Sequence, residues 1–166
     1  MEIREAIETD ILVIKNLAEI IWPEAYGEII SEQQISYMLD LIYSEMALKK
    51  QMLAGHKFIL LEKDHVPIGF ASFSKKSKED PSIFRLHKIY VLPRQHAQGA
   101  GSFMLNYIYE ESKKANAKQL ELNVNKYNIA KQFYEKKGFT VSKREVIDIG
   151  NGYVMDDYVM IKDLTT

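Results

Sequence analysis

Val91-Leu92-Pro93-Arg94-Gln95-His96-Ala97-Gln98-Gly99-Ala100-Gly101-Ser102 separates an apolar run, residues 83–91, from an amphipathic run, residues 103–115. The order reads as strand, glycine-bearing turn, helix start. A helix N-terminus carries N–H groups without intrahelical partners and about half a positive charge from its dipole. Glycines let such a backbone approach a ligand closely, and the ligand that suits it is a phosphate or diphosphate. Two common phosphate loops are excluded by the neighbours. A Walker loop needs Gly-Lys-Ser/Thr, whereas Gly101 is followed by Ser102 and Phe103; a dinucleotide fingerprint needs a third glycine where Met104 stands. A Gly-x-Gly turn also serves as a plain tight connection, so the phosphate reading draws its support from the rest of the chain.

Upstream, residues 3–6 read as a short strand. Thr9 or Asp10 is placed to cap a helix to Ile21, with Ile14, Leu17, Ala18 and Ile21 on one face and Pro23 ending it. Ser31 with Gln34 forms a capping box for a helix bearing Ile35, Met38, Leu39 and Ile42, and residues 45–53 form a further helix. Residues 57–63 and 66–73 read as a hairpin turning at Asp64-His65, followed by a polar loop over 74–82. Residues 83–91 are apolar on both faces, as in a central strand. Downstream of the glycine turn, residues 119–124 read as a strand, which completes a right-handed βαβ unit with parallel strands. Residues 128–137 form a helix ended by Gly138; residues 140–149 and 153–162 form a closing hairpin through Gly150-Asn151-Gly152. The expected fold class is α/β (α+β): a mixed, mostly antiparallel sheet with one parallel βαβ crossover and helices on both faces.

The 166 residues, 46% hydrophobic and 27% charged, suit a single domain over 1–166. A net charge of −1 gives no global pull toward nucleic acid or an anionic membrane. No apolar run approaches the ~20 residues of a membrane span. The charged start, Met1-Glu2-Ile3-Arg4-Glu5, lacks the apolar core of a signal peptide, and a cytoplasmic location is expected. With no cysteine there is neither disulfide nor thiolate chemistry. His56, His65, His87 and His96 lack ligand spacing, so no metal is expected, and no Gly-x-Ser-x-Gly supports a serine hydrolase.

Three motifs then combine: Val91-x-Pro93, the turn from His96 to Gly101, and Asn128-Ile129-Ala130 leading into Phe133-Tyr134-Glu135-Lys136-Lys137-Gly138-Phe139. Together, over residues 57–162, they resemble the Gcn5-related N-acetyltransferases. Asp156-Asp157-Tyr158-Val159-Met160 is similar to the spermidine/spermine and PaiA-like members. The resemblance implies an acyl-CoA N-acyltransferase fold with acetyl-coenzyme A as donor. It implies that the backbone of His96, Ala97, Gln98, Gly99, Ala100, Gly101 and Ser102 wraps the diphosphate, and that the strand edge at Ile89, Tyr90 and Val91 pairs with the pantetheine amides. Asn128 contacts the cofactor arm, with Asn125 as a competitor. The sequence departs from the pattern at three places: His96 stands where Arg or Gln is usual, Ala97 replaces a glycine, and Asn128 is shifted by one.

Acetyl transfer to an amine needs a deprotonated amine, a polarised thioester carbonyl, attack geometry and a proton for the leaving thiolate. The resemblance implies Tyr134 as the acid, with a backbone N–H near Val91 stabilising the oxyanion. His87 shares a strand face with Ile89 and Val91 and is a candidate base. Glu24, Glu28 or a water chain are alternatives. Trp22, Tyr26 and Tyr37 are candidate walls of an acceptor pocket; Glu28, Asp156 and Asp157 are candidates to attract a cationic amine. The expected partner is a small-molecule or peptide amine, and the resemblance admits a homodimer. A catalytically silent acyl-CoA-binding sensor is the rival on the same fold.

Overall fold

The computed structural model describes residues 1–165, the side chain of Ala97 excepted. Its elements, in chain order, are β1 (Glu2–Glu5), α1 (Ile11–Tyr26), α2 (Glu32–Tyr43), α3 (Glu45–Leu53), β2 (Lys57–Lys63), β3 (Val66–Lys75), β4 (Ile83–Val91), α4 (Ala100–Lys114), β5 (Gln119–Asn125), α5 (Ala130–Lys136), β6 (Thr140–Gly150) and β7 (Tyr153–Asp163). Two compact units are present: Met1–Ser74 with Leu86–Glu110, and Lys75–Arg85 with Glu111–Thr166.

In the first unit the strand order is β1-β2-β3-β4. β1 pairs antiparallel with β2, and β2 with β3. The β2–β3 hairpin turns at Asp64 and His65, both at positive φ (52° and 65°), as a two-residue turn matched to strand twist requires. The faces of this sheet carry different partners. Tyr43 of α2 packs on Phe70 (5.8 Å between ring centroids) and Trp22 of α1 on Tyr90 (5.9 Å). On the opposite face, Met104 of α4 reaches Gly69, whose own position is forced: a Cβ there would lie 2.7 Å from the Tyr90 carbonyl oxygen. Only glycine allows β3 and β4 to approach so closely at that point.

In the second unit β5, β7 and β6 are neighbours in that order, with antiparallel ladders from β5 to β7 and from β7 to β6. The start of β4 belongs to this unit too. The Lys118 N–H donates to the Ser82 carbonyl (2.8 Å), and three residues on Arg85 meets Glu121 and Asn123. Numbers rise together on both strands, so β4 and β5 run parallel. The mixed, mostly antiparallel α/β class holds.

Four local expectations needed correction. Pro23 does not stop α1, which runs to Tyr26 before Gly27 caps it. The apolar face continues past the proline through Trp22 and Tyr26, both buried, and that burial outweighs the single lost N–H bond. Neither Thr9 nor Asp10 caps α1 with its side chain: the Asp10 carboxylate instead accepts both Arg4 guanidinium nitrogens (3.0 and 2.9 Å) and the Ile7 N–H (2.9 Å). β3 extends to Lys75, because a ladder of backbone bonds continues regardless of how polar Ser74 and Lys75 are. Finally, α5 begins at Ala130, two residues after the expected start, whereas α4 opens at Ala100, inside the stretch read as turn and helix start. The Ser31 cap is as expected, its Oγ accepting the Gln34 N–H at 3.1 Å.

Candidate active site

The glycine turn leaves β4 through a 3-10 segment, Pro93–Gln98, and Gly99 turns left-handed at φ 73°, ψ 19°. A Cβ placed at Gly99 would meet nothing within 4 Å, so the space above it is open. The first helical bond of α4 is from Phe103 N–H to Gly99 C=O (3.0 Å), which leaves the N–H groups of Ala100, Gly101 and Ser102 outside the ladder. His96 Nε2 lies 2.9 Å from the Val91 carbonyl oxygen and ties the turn to the end of β4. Lys63, at the end of β2, donates to Gln98 Oε1 at 2.7 Å and brings a cation beside the turn. The side chain of Ala97 lies outside the described residues.

Ile89 and Tyr90 are half-buried at the end of β4, and Val91 points into the core. The structure joins Tyr90 to Tyr26 through their hydroxyls (2.8 Å), inside an aromatic cluster with Trp22, Tyr43 and Phe70. Trp22 and Tyr26 are buried, so they stand as packed rings rather than an open wall. Tyr37 is half-buried in α2, while Glu24 and Glu28 are exposed.

His87 has a defined setting. One ring nitrogen lies 2.7 Å from Ser74 Oγ, and the ring stacks on His56 at 3.9 Å with 3° between planes. Burial, then the nearby Lys88 charge, lower the pKa of His56, which disfavours its charged form. Lys88 was not singled out from sequence, though a lysine in a strand that patterns as buried on both faces was the available signal. Burial pushes its amine down to about 8 from 10.5. The charged form therefore opposes folding fully below pH 8, and the opposition fades as pH approaches 10.5. Wild-type stability is expected to rise relative to Lys88→Met over that window, by about 3 kcal/mol in total. Parallel denaturant titrations of the two proteins from pH 7 to 10.5 check the sign; a constant difference would contradict it.

In the second unit Tyr134 sits on α5 with its ring buried edge-on against Phe133 (5.4 Å) and Phe139 (5.7 Å). Gly138 at φ 93° turns the chain from α5 into Phe139, whose N–H returns to the Tyr134 carbonyl at 3.0 Å. Both candidate asparagines shape the preceding turn: Asn125 Oδ1 accepts the Tyr127 N–H and Asn128 Oδ1 the Ala130 N–H, each at 2.9 Å. The Asn128 carboxamide nitrogen keeps its donors.

Asp156 and Asp157, adjacent on β7, have opposite environments. Arg144 bonds both oxygens of Asp156 (2.9 and 2.6 Å) and Lys126 lies 2.7 Å away, so the carboxyl is held far below its usual range. Its charge is already matched, which leaves it little attraction for an amine. Asp157 is 4% exposed; Asn123 Nδ2 donates to Oδ2 at 3.2 Å while Oδ1 has no partner. Burial raises its pKa. It ends a polar ladder that sequence reading missed: Lys76 to Glu121 (3.0 Å), Glu121 to Arg85 (2.5 Å), Arg85 to Asn123, and Asn123 to Asp157. The residues alternate along β5, but nothing in the pattern of one strand reveals which neighbour answers it.

Among the described residues no group of three or more His, Asp or Glu is placed to hold a metal, and no helix is long and apolar enough to cross a membrane.

The chain belongs to the acetyltransferase (GNAT) domain family, whose profile matches residues 28–159. It is similar to an uncharacterized N-acetyltransferase of Mycobacterium bovis, 25% identical over 145 residues, which cover 86% of this chain and 90% of the relative. Among solved structures it is similar to the PaiA N-acetyltransferase of Thermoplasma acidophilum in complex with coenzyme A, with TM-score 0.82 and 23% identity over 98% of each chain. It is also similar to yncA of Salmonella typhimurium, solved with its cofactor acetyl-CoA: TM-score 0.68 and 19% identity over 100% of this chain and 95% of that one.

Proposed function

We propose that the chain transfers the acetyl group of acetyl-coenzyme A to a primary amine of a small molecule or peptide, by direct attack with both substrates bound, and that residues 1–166 serve as one catalytic domain. The turn carries this reading: a left-handed glycine with open space above it, followed by three helix N–H groups with no backbone acceptor among the described residues. Those features suit a diphosphate. The family profile and the two relatives with coenzyme A or acetyl-CoA support the donor.

In this reading the main chain of residues 96–102 holds the diphosphate, and Lys63, steadied by Gln98, adds charge to it. The edge at Ile89, Tyr90 and Val91 pairs with the pantetheine amides, a backbone N–H near Val91 steadies the oxyanion, and the Asn128 carboxamide nitrogen contacts the cofactor arm. Tyr134 gives its proton to the departing thiolate. Asp157 answers the amine of the acceptor, since one of its buried oxygens lacks a partner.

His87 takes the amine proton, with Ser74 fixing its ring. A histidine accepts a proton only in its neutral form. His87→Ala is expected to lower kcat/KM about 10²-fold near neutrality and to flatten the acid limb of the pH profile. A superimposable profile would hand the base role to a glutamate or to water. The transfer itself is tested by a thiol-release assay over a panel of amine acceptors. Acceptor-dependent coenzyme A release is expected; binding of acetyl-CoA without release for any amine would favour a sensor.

A further inference from the structure

Lys88 is 8% exposed, and among the described residues its ammonium has no carboxylate partner. Its Nζ donates to Gln51 Oε1 at 2.6 Å and lies 5.6 and 5.4 Å from the ring centroids of Tyr43 and Phe58. Gln51 is clamped from behind, its Nε2 donating to the Ile42 carbonyl at 2.9 Å. One cation is thus held in an apolar wall with two donors undirected. Such a charge is costly to bury alone.

Two further buried groups share its surroundings. Ser72 lies opposite Phe58 on the face where Lys88 meets that ring. At the end of the β3–β4 pair the Leu92 N–H donates to the Ile68 carbonyl (2.8 Å), and Phe70, two residues before Ser72, packs on Tyr90, two residues after Lys88 (5.7 Å). Ser72 Oγ is buried without a partner. His56 feels the Lys88 charge, and its Nδ1 is likewise buried without a partner. An ammonium with donors to spare, a hydroxyl without a partner and an imidazole nitrogen without a partner therefore lie in one neighbourhood.

We propose that Lys88, Ser72 and His56, with Gln51 holding the lysine, bind the carboxylate of the acceptor, so that the amine substrate is an amino acid or another amine that carries a carboxylate. A single negative charge matches the single ammonium, and a phosphate would bring nearly two. The aromatic walls suit a carboxylate borne on hydrocarbon. The assignment rests on the reading of the chain as an amine acetyltransferase and adds the acceptor's second recognition group.

The test uses the full chain, wild type and Lys88→Met, with Ser72→Ala as a second variant. Methionine fills similar volume without an unmatched charge, so the thermal midpoint of Lys88→Met is expected at or above wild type. Amino acids are then compared with their carboxamides as acceptors. Wild type is expected to prefer the acids on the order of 30-fold or more in kcat/KM, with the preference falling below about 3-fold in Lys88→Met and partly lost in Ser72→Ala. A second arm needs no donor: protein labelled at lysine Cε is titrated with propionate and with propionamide. The resonance missing from Lys88→Met is expected to shift with propionate alone, and propionate to compete with the amino acid. Equal turnover of acids and carboxamides overturns the proposal. So does a still resonance, which would leave an enclosed water only, and so does a shift without competition, which would make the carboxylate a separate effector. A chain that turns over no amine sinks the transfer reading and the acceptor assignment with it, while the propionate shift would still report the anion site.

Discussion

Tyr134→Phe is expected to lower kcat by roughly 10²–10³-fold with little change in coenzyme A affinity. The ring of Tyr134 packs edge-on against Phe133 and Phe139, and phenylalanine keeps both contacts. What disappears is the hydroxyl proton. The loss therefore falls on the step that protonates sulfur, not on binding, and single-turnover rates beside calorimetric dissociation constants separate the two. Dependence on the leaving group gives an internal check. A thioester of a more acidic thiol needs less help from an acid, so the gap between wild type and variant should narrow as thiol pKa falls. A variant as fast as wild type on acetyl-CoA removes Tyr134 from the chemistry.

Substitution at Gly99 should act on the other substrate property, donor affinity. Valine there fills the open space above the turn, and coenzyme A affinity is expected to fall by about 100-fold or more, equivalent to ~3 kcal/mol. Valine also has to adopt φ 73°, at a cost of about 1–2 kcal/mol in stability. Gly99→Asn separates the two effects, because asparagine tolerates the left-handed region. It should melt near wild type yet still lose most of its affinity for coenzyme A. Pantetheine, which has no diphosphate, should bind all three proteins alike. Normal coenzyme A affinity in Gly99→Asn would show that the turn does not hold the diphosphate.

The elements were legible where periodicity and end signals agree. β4 spans Ile83–Val91 as its two apolar faces implied, and Ser31 caps α2 because a hydroxyl three residues before a free N–H is a local arrangement. The signals failed where a local cost met a distant gain. Pro23 breaks one bond of α1, but Trp22 and Tyr26 gain a buried aromatic neighbourhood that lies far away in sequence. Asp10 had an evident capping role nearby and took Arg4 instead, since a two-bond guanidinium pair is the stronger partner.

The candidate site divides along the same line. The sequence by itself determined the family, the glycine turn after β4, the helix that follows it and the place of Tyr134 on the next helix, because each is set by neighbours within a few residues. Tertiary structure alone decided which polar groups are answered. It pairs Asp156 with Arg144 and Lys126 and leaves Asp157 an oxygen without a donor. It also places Lys88 beside Gln51 and two aromatic rings with no carboxylate at hand. Charge compensation depends on distance in space, and sequence spacing encodes that distance only inside a single helix turn or strand step.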